Sequence, residues 1–444
     1  MEEQSLRSFL QAIPEGDILR LKQANEDYLL TALVMELDKR QNYPVVWLED
    51  PARRLTVVGN LFASRQRLAA AVGGTGDFPT RVLAALARVI KPLPVDRAPV
   101  QERVRQGVEV DLNLLPLVRH FEQDAGRYIS SGIVVARDPR TGRYNLSFHR
   151  LQLKGRDRMG ISLHSRGHLW QYFNHAEAAG RDLEIAVIIG AHPALYLAAA
   201  TKIPDSVDDY EVAGSLLGSP VRLVRGVATG LEVPAEAEYI LEGKILAGVR
   251  EPEGPFGEYT GYATSRSTNN IFAVTAITSR QEPVFLELIP GFSTEHILLS
   301  QATKEVSLLQ KLKEQIPGVR ALNLPKNGCH FHAYLSLEQA ARGQARQALM
   351  LLFGLDPYIK LAVAVDADID VYNEEEVMWA LATRMQADED VFIVPRVFCN
   401  RLDPSARDGM AAKLGIDATR SPDWEVKPLS LPEAAMAKAK SILL

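Results

Sequence analysis

The chain has 444 residues, of which 47% are hydrophobic and 24% are charged, and this composition excludes a largely disordered protein. Its formal net charge is -5, and Lys and Arg are scattered among acidic residues, so no basic stripe for nucleic acid is present. No apolar run approaches the roughly 20 residues that span a bilayer, and the N-terminus lacks a signal segment. Cys329 and Cys399, the two cysteines, form no metal-type or redox pair. We therefore expect a cytoplasmic protein of two or three domains.

The N-terminal third combines helical and strand patterns. Helical periodicity covers residues 6–13 and 27–40, and short apolar runs at 45–47 and 55–58 predict strands. This mixture is typical of an α/β domain. A cluster of prolines between residues 92 and 116 marks its boundary.

Strand patterns dominate the middle of the chain, from about residue 129 to 290. Several of these strands alternate apolar and polar residues, as half-buried strands do. Many short strands divided by turn residues predict a barrel or a sandwich rather than a doubly wound sheet. The predicted strands are 131–136, 146–153, 184–190, 220–224, 271–277 and 284–288.

The pattern returns to α/β after residue 290. Helical stretches at 304–315, 337–352 and 374–385 surround a continuously apolar strand at 361–365. A continuous apolar strand is typical of a partly parallel sheet that is covered on both faces.

The last segment, residues 431–444, predicts a helix that begins near Pro432. Its apolar surface needs a partner, which is either its own domain or a second subunit. Segment 329–332 reads Cys-His-Phe-His and alternates like a structural strand.

Segment 253–262 carries the strongest chemical signal. It reads Glu-Gly-Pro-Phe-Gly-Glu-Tyr-Thr-Gly-Tyr, so Glu253 and Glu258 lie in a tight, irregular turn from which both can face one cavity. Nearby aromatic rings lower the local polarity, which raises the pKa of a carboxyl group toward the range useful for proton donation. A surface turn with solvated acids is the alternative.

Segment 145–150 reads Asn-Leu-Ser-Phe-His-Arg and predicts a strand. A period of two places Phe148 and Arg150 on one face and Asn145 on the other, unless the strand bends between them. Downstream, His164 and His168 are competent neutral metal ligands, and Arg166 is suited to bind a phosphate through two hydrogen bonds.

The pattern Glu-Gly-Pro-x-Gly-(Glu/Asp)-x-x-Gly resembles the turn that marks the UbiD family of decarboxylases, and the resemblance continues in register from about residue 110 to 400. It implies an α+β or mixed α/β protein with an N-terminal α/β domain, a central split β-barrel that binds flavin, and a C-terminal α/β domain with a terminal helix. We divide the chain accordingly into 1–110, 111–303, 304–430 and 431–444.

The resemblance also implies residue roles. Glu258 corresponds to the proton donor, and Glu253 and Arg150 to an ion-paired network beside the flavin. Asn145 and His168 correspond to metal ligands, with His164 as the alternative to His168.

The metal carboxylate is where the chain departs from the family pattern. Asp209 stands where the family usually has Glu, and Glu211 lies two residues further on. An amide oxygen, an imidazole nitrogen and a carboxylate suit Mn²⁺ or Mg²⁺ bridged to phosphate. The resemblance also allows a K⁺ ion.

Further residues are expected around the cofactor and the substrate. The full set of expected cofactor contacts comprises Asn145, Phe148, Arg150, Arg166, His168, Lys360 and Arg384. Phe292, His296 and Lys304 follow the acid turn and are expected to recognise a polar heteroaromatic ring or a second carboxylate.

Removal of CO2 from an sp² carbon leaves a poor carbanion, which requires an electron sink that side chains do not supply. The resemblance therefore implies a reversible, non-oxidative decarboxylase of an aromatic, heteroaromatic or α,β-unsaturated acid that uses prenylated FMN and a flavin prenyltransferase as the cofactor supplier. It also implies a homodimer or homohexamer. The alternatives are a flavin-binding or maturation protein without turnover and a metal-dependent hydrolase, which would need more ligands in compact spacing.

Overall fold

The computed structural model describes most of the chain, namely residues 4–163, 167–203, 206–421, 423–426 and 429–443. His164 and Arg166, both predicted as site residues, lie outside these ranges. Within them, no helix is both long and apolar enough to cross a membrane.

The N-terminal part alternates helices and short strands, as predicted. Side-chain oxygens of Ser5, Ser64 and Asp77 accept hydrogen bonds from backbone N–H groups in the first turn of three of these helices, which explains where those helices begin. The elements are α1 (Leu6–Gln11), β1 (Ile18–Leu21), α2 (Leu29–Lys39), β2 (Val45–Asp50), β3 (Leu55–Gly59), α3 (Arg65–Ala70), α4 (Phe78–Ala87) and β4 (Leu93–Pro94).

The central part is rich in strands but also contains three helices that the sequence patterns did not predict. The elements are β5 (Arg103–Gln106), β6 (Tyr128–Ile129), β7 (Ile133–Arg137), β8 (Tyr144–Phe148), β9 (Leu151–Leu153), β10 (Arg158–Ile161), α5 (His168–Ala178), β11 (Leu183–Ile189), α6 (Pro193–Ala200), α7 (Asp209–Leu217), β12 (Arg222–Arg225), β13 (Glu232–Pro234), β14 (Tyr239–Glu253), β15 (Ser267–Ser279) and β16 (Val284–Leu286).

The C-terminal part is an α/β layer followed by a terminal helix. The elements are α8 (Thr294–Gln315), β17 (Val319–Asn323), β18 (His332–Leu337), α9 (Gln344–Leu355), β19 (Leu361–Asp366), α10 (Glu374–Arg384), β20 (Val391–Phe398), β21 (Met410–Ala418) and α11 (Glu433–Leu443). Strands β18, β19 and β21 pair in parallel, and β19 is the predicted apolar strand. The mixed α/β fold class is therefore confirmed.

The central sheet curls into a half-barrel. Its strand order is β6-β9-β10-β15-β14-β11-β7-β8, with β5 also paired to β15. Strands β8 and β9 are joined by only two residues, His149 and Arg150, yet they lie near opposite ends of this order. The two ends of the sheet must therefore approach each other, and the link between them lies at the seam.

The break between β8 and β9 removes the expectation that Asn145 and Arg150 point to opposite faces of one strand. One strand over 146–153 was predicted, and that prediction is wrong because β8 ends at Phe148 and β9 begins at Leu151. The alternation of faces therefore does not run through from Asn145 to Arg150.

Helix α8 connects two hydrophobic cores. Leu298, Leu299 and Val306 pack into the first core, which is formed by the N-terminal and central parts of the chain, whereas Leu308 and Leu312 pack into the C-terminal core. The predicted domain boundary between residues 303 and 304 lies inside this helix, close to where the packing changes. The division of the chain into domains stays a prediction.

Two further local predictions are wrong. The helix expected over 337–352 begins only at Gln344, because Leu337 ends strand β18. Cys329 and His330 do not form a strand, because both have positive φ angles of 46° and 63° in a tight loop before β18.

Helix α11 does not pack on its own domain. Met436 and Ile442 are exposed in the single chain, as are Leu429 and Leu431 in the segment before the helix. This exposure agrees with the second-subunit alternative, and the homo-oligomer stays a prediction.

Candidate active site

Arg150 binds two carboxylates at the seam of the half-barrel. Its Nε and Nη2 donate to the two oxygens of Glu253 at 2.9 and 2.8 Å, and its Nη1 donates to Glu258 Oε1 at 2.6 Å. Arg150 lies more than 100 residues before the two acids in the chain, so the predicted convergence of Arg150, Glu253 and Glu258 is present.

The order of the strands explains why these residues meet. Leu151 of β9 pairs with Ile161 of β10, Ile161 with Asn270 of β15, and Asn270 with Arg250 of β14. Arg150 immediately precedes this row of paired residues, and Glu253 is the last residue of β14. Glu253 is therefore placed by a strand, which corrects its assignment to the irregular turn.

Glu253 is held by more than one donor. Its side chain is fully buried, and Asn269 Nδ2 donates to its Oε2 at 2.8 Å. Ser267 pairs with Glu253 across the two strands, so Asn269 is the diagonal neighbour on the same face of the sheet. The carboxylate is thus fixed by charge-assisted hydrogen bonds from Arg150 and by one amide.

Glu258 occupies a different environment from Glu253. Burial raises the pKa of the Glu258 carboxyl above its ordinary value, and the nearby Glu253 carboxylate acts in the same direction, while the Arg150 charge and hydrogen bond oppose the rise. The Glu258 side chain keeps 15% of its surface exposed, so it is still accessible to a ligand. A carboxyl group with a raised pKa and an accessible edge is suited to donate a proton.

The acid turn, residues 254–262, is shaped by backbone contacts. It contains a cis Gly254–Pro255 bond, and Gly254 has a φ of 81°, which glycine adopts without steric cost. Phe256 is buried beneath the Arg150 guanidinium at 5.0 Å, whereas Tyr262 is 63% exposed. Of the two, only Phe256 lowers the polarity around the acids.

Tyr259 joins the acid turn to the C-terminal layer. Its ring contacts those of His330 and His296 edge-on, with centroids 4.8 and 6.2 Å apart, and its hydroxyl accepts a hydrogen bond from Asn400 Nδ2. The sequence patterns missed His330 and Asn400, because no local signal connects either residue with the acid turn.

A second polar cluster contains the predicted metal ligands. Asn145 Nδ2 lies 3.0 Å from Asp209 Oδ2 and 3.4 Å from His168 Nδ1. His168 opens helix α5, and Asp209 opens α7 with Asp208 as its N-cap. The amide, the imidazole and the carboxylate therefore converge at the N-terminal ends of two helices.

Asp209, and not Glu211, makes the contact with Asn145. Asp209 is almost fully buried, and its Oδ2 also accepts the backbone N–H of Leu146 at 2.7 Å. Burial raises the pKa of Asp209 to about 7; the hydrogen bonds from Leu146 N–H and Asn145 oppose this rise, and the nearby Asp208 carboxylate adds to it.

The donor set of this cluster fits a hard divalent cation. In the present orientation of the amide, Asn145 Oδ1 accepts a hydrogen bond from Ser147 Oγ at 3.0 Å. A 180° rotation of the amide would direct Oδ1 to the cation beside His168 and Asp209. One neutral oxygen, one nitrogen and one anionic oxygen suit Mn²⁺ or Mg²⁺ when phosphate oxygens complete the shell.

Three of the expected cofactor contacts already have other partners. Phe148 packs on the first core, with its ring 5.9 Å from that of Tyr196. Lys360 pairs with Asp403 at 2.7 Å, and Arg384 donates to Asp366 and Asp368 within the C-terminal layer.

Of the three predicted substrate residues, Phe292 and His296 lie at the start of α8 and Lys304 lies near its middle. His296 Nδ1 lies 3.1 Å from the carbonyl oxygen of Gly291, and burial lowers the pKa of His296 to about 4. Phe292 faces the ammonium group of Lys326 at 5.0 Å, and Lys304 forms an ion pair with Asp356. His296 is therefore neutral at pH 7, and Lys304 is not a free cation.

Two family models match this chain. Residues 91–293 match the 3-octaprenyl-4-hydroxybenzoate carboxy-lyase Rift-related domain, and residues 297–418 match the carboxy-lyase C-terminal domain. Together they cover most of the chain and define a carboxy-lyase. The chain belongs to the UbiD family of decarboxylases, which confirms the resemblance seen in the acid turn.

Characterised relatives extend over most of the chain. It is 36% identical over 369 residues to the anhydromevalonate phosphate decarboxylase of Methanothermobacter thermautotrophicus. The aligned region covers 82% of this chain and 85% of that protein. It is 34% identical over 427 residues to the enzyme of the same name from Aeropyrum pernix. This alignment covers 95% of this chain and 94% of that protein.

Solved structures agree with this assignment. The UbiD-class enzyme HmfF from Pelotomaculum thermopropionicum, in complex with FMN, superposes with a TM-score of 0.93 at 38% identity, over 98% of this chain and 99% of that one. An evolved dimeric form of HmfF in complex with prenylated FMN gives a TM-score of 0.89 at 36% identity, over 98% of each chain.

Proposed function

We propose that this decarboxylase acts on an aromatic, heteroaromatic or α,β-unsaturated carboxylic acid and uses prenylated FMN with Mn²⁺ or Mg²⁺. The observation that carries the proposal is the cluster in which one guanidinium binds the buried Glu253 and the partly accessible Glu258 at once. Such a cluster places a cation for the substrate carboxylate beside a proton donor.

The two polar clusters lie at opposite ends of one short segment. Asn145 and Arg150 are five residues apart, and a fully extended chain spans at most about 3.6 Å per residue, so their backbones are at most about 18 Å apart. We infer that Arg150 and its acid partners would contact the flavin ring, and that the Asn145 cluster would hold the cofactor phosphate. HmfF, the similar structure with prenylated FMN, supports the choice of cofactor.

The residues of this chain would have separate roles in the reaction. Prenylated FMN, when bound, supplies the electron sink that stabilises the charge left by departing CO2. Arg150 orients the substrate carboxylate, and Glu253 fixes the direction of the guanidinium. Glu258 donates a proton to the carbon that has lost CO2, and in the reverse direction it removes that proton.

Asn145, His168 and Asp209 would hold the divalent cation, whose charge would offset that of the cofactor phosphate. The roles of Phe148, Arg166, Lys360 and Arg384 in cofactor binding stay predictions, as does a K⁺ ion. Arg384 and Lys360 are both ion-paired in the C-terminal layer, so each would have to leave its carboxylate partner in order to contact a cofactor.

His296, with Phe292 and Lys304, is proposed to contact the end of the substrate away from the reacting carboxylate. A neutral His296 that donates from Nδ1 to Gly291 keeps Nε2 as an acceptor. It would thus accept a hydrogen bond from a hydroxyl, a ring N–H or a protonated acid. This property favours a substrate with a hydrogen-bond donor at that end.

Replacement of His296 with Ala is expected to change the ratio of rates on mono- and dicarboxylic acids by roughly 5-fold, since one buried hydrogen bond contributes about 1 kcal/mol. Phe292→Ala is expected to weaken binding of all ring substrates, and Lys304→Ala is expected to have the smallest effect because Asp356 already neutralises Lys304. Lys311→Ala, at an exposed position on α8, is the matched control. An unchanged ratio in His296→Ala would remove this residue from substrate recognition.

The proposed function is tested by coexpression with a flavin prenyltransferase. The purified protein is expected to show a flavin-type absorption spectrum and to release CO2 from members of a panel of aromatic, furan, pyrrole and acyclic unsaturated acids. Protein produced without the prenyltransferase is expected to bind FMN and to release no CO2.

Treatment of the flavin-loaded enzyme with a chelator tests whether a divalent cation is required. Removal of divalent ions is expected to release flavin and abolish turnover, and Mn²⁺ is expected to restore both, because the phosphate would lose the cation held by Asn145, His168 and Asp209. Flavin bound at full occupancy with no turnover on any acid would instead support a flavin-binding or maturation protein.

A further inference from the structure

The buried side chain of Asp124 connects the loop of residues 120–125 to the acid turn. Its Oδ2 accepts the backbone N–H groups of His120 and Phe121 at 3.0 and 2.9 Å, and its Oδ1 accepts the N–H of Gly257 at 2.9 Å. Asp124 is 3% exposed, and Gly257 immediately precedes Glu258. One carboxylate therefore fixes two separate pieces of backbone, and one of these pieces carries the proposed proton donor.

The same loop contacts the acid turn at two further points. Ala125 N–H donates to the Pro255 carbonyl oxygen at 2.9 Å. The Phe121 ring fills the space beside Gly257 and Gly291, where an added Cβ would lie only 2.4 and 2.5 Å from ring carbons. The backbone of the turn is therefore held on one side by hydrogen bonds and by ring packing.

The loop is anchored in the protein interior. His120 Nε2 lies 3.0 Å from Glu287 Oε1, and both side chains are fully buried. Ser130 Oγ donates to the same carboxylate oxygen at 2.7 Å, and Glu287 N–H donates to the Val58 carbonyl oxygen of β3. A path of buried contacts thus runs from the N-terminal sheet through the loop to the residue before Glu258.

We propose that Asp124 is a positioning residue that sets the direction of Glu258 through the Gly257 peptide. The proposal rests on the proposed role of Glu258 as the proton donor. Proton transfer depends steeply on geometry, and a displacement of about 1 Å can cost roughly 100-fold in rate. An aspartate is required because its two oxygens accept from both backbones, whereas Asn would turn an N–H group toward one of them.

The test compares Asp124→Asn with Glu242→Gln. Glu242 is a matched control, because it is also a fully buried carboxylate that accepts backbone N–H groups, those of residues 227–229, far along β14 from the acids. Per flavin-loaded folded enzyme, Asp124→Asn is expected to lower kcat by about 10- to 100-fold with KM changed less than about 3-fold. Glu242→Gln is expected to keep kcat within about 2-fold.

The solvent isotope effect separates positioning from a general loss of structure. In Asp124→Asn, the ratio of kcat in H2O to kcat in D2O is expected to be at least as large as in the wild type, because proton transfer has been slowed. A smaller ratio at lower kcat, or a kcat equal to that of Glu242→Gln, would overturn the proposal.

Glu258→Gln is measured alongside these variants. If Glu258→Gln is inactive while Asp124→Asn behaves like the control, the positioning role fails and the proposed function stands. If Glu258→Gln is nearly as active as the wild type, the proposed donor itself fails. If Asp124→Asn does not fold, hydrogen exchange in the wild type tests the bond between Gly257 N–H and Asp124 instead. The Gly257 amide is expected to be protected from exchange. Exchange at the rate of an unbonded amide would overturn the proposal.

Discussion

Replacement of Glu258 with Gln is expected to lower kcat by roughly 10²- to 10⁴-fold, the range that a positioned general acid contributes. The amide keeps the size of the side chain and one acceptor oxygen for Arg150, so the fold and the flavin content are expected to stay unchanged. The measurement is CO2 release per bound flavin, with flavin content taken from absorbance. Glu251→Gln, at a partly exposed Glu of β14 paired with Arg158, is the control and is expected to keep full activity.

The pH dependence of the wild type provides an independent test of this role. Because burial raises the pKa of Glu258, the protonated donor form persists to higher pH than an ordinary carboxyl group would allow. In the decarboxylation direction, kcat is expected to fall as the pH rises through this raised pKa. A kcat that rises over that interval would assign the donor to another group.

Replacement of Arg150 with Met is expected to affect both stability and activity. It leaves the fully buried Glu253 without its bidentate partner, and breaking such a pair costs about 3–5 kcal/mol in the free energy of unfolding. Turnover is expected to be lost with it. Since the Arg150 charge lowers the pKa of Glu258, any residual activity is expected to extend to higher pH than in the wild type.

The double variant Arg150→Met, Glu253→Gln separates these effects. It removes the unpaired charge, so denaturant unfolding is expected to show recovery of much of the lost stability, while activity stays low because no guanidinium orients the substrate. If Arg150→Met alone keeps both its unfolding midpoint and its turnover, the Arg150 cluster is not the site of reaction.

The geometry also restricts what the site can recognise. His296 is neutral and keeps an acceptor, and Lys304 is neutralised by Asp356, so the two do not form an anion site in this arrangement. The first expectation, that they bind a second carboxylate by charge, therefore depends on loss of the Lys304–Asp356 pair. Recognition of a hydrogen-bond donor requires no such change.

The sequence by itself determined the family, the mixed α/β class and the pair of acids. Glycine and proline at fixed spacing impose a particular backbone turn on any chain, and for that reason the segment around Glu258 is recognisable without coordinates. The apolar run of β19 was equally clear, because a strand covered on both faces leaves a continuous hydrophobic pattern.

The tertiary structure alone decided several contacts of the site. The break between β8 and β9, the choice of Asp209 rather than Glu211 as the neighbour of Asn145, and the contacts of Asp124, Asn269 and His330 depend on strand order and loop packing. Local periodicity carries no information about such contacts, because each of these side chains finds its partner on a different element. The local sequence therefore does not distinguish a buried polar residue from a solvated one, and only the packing of the surrounding elements shows which groups it hydrogen-bonds.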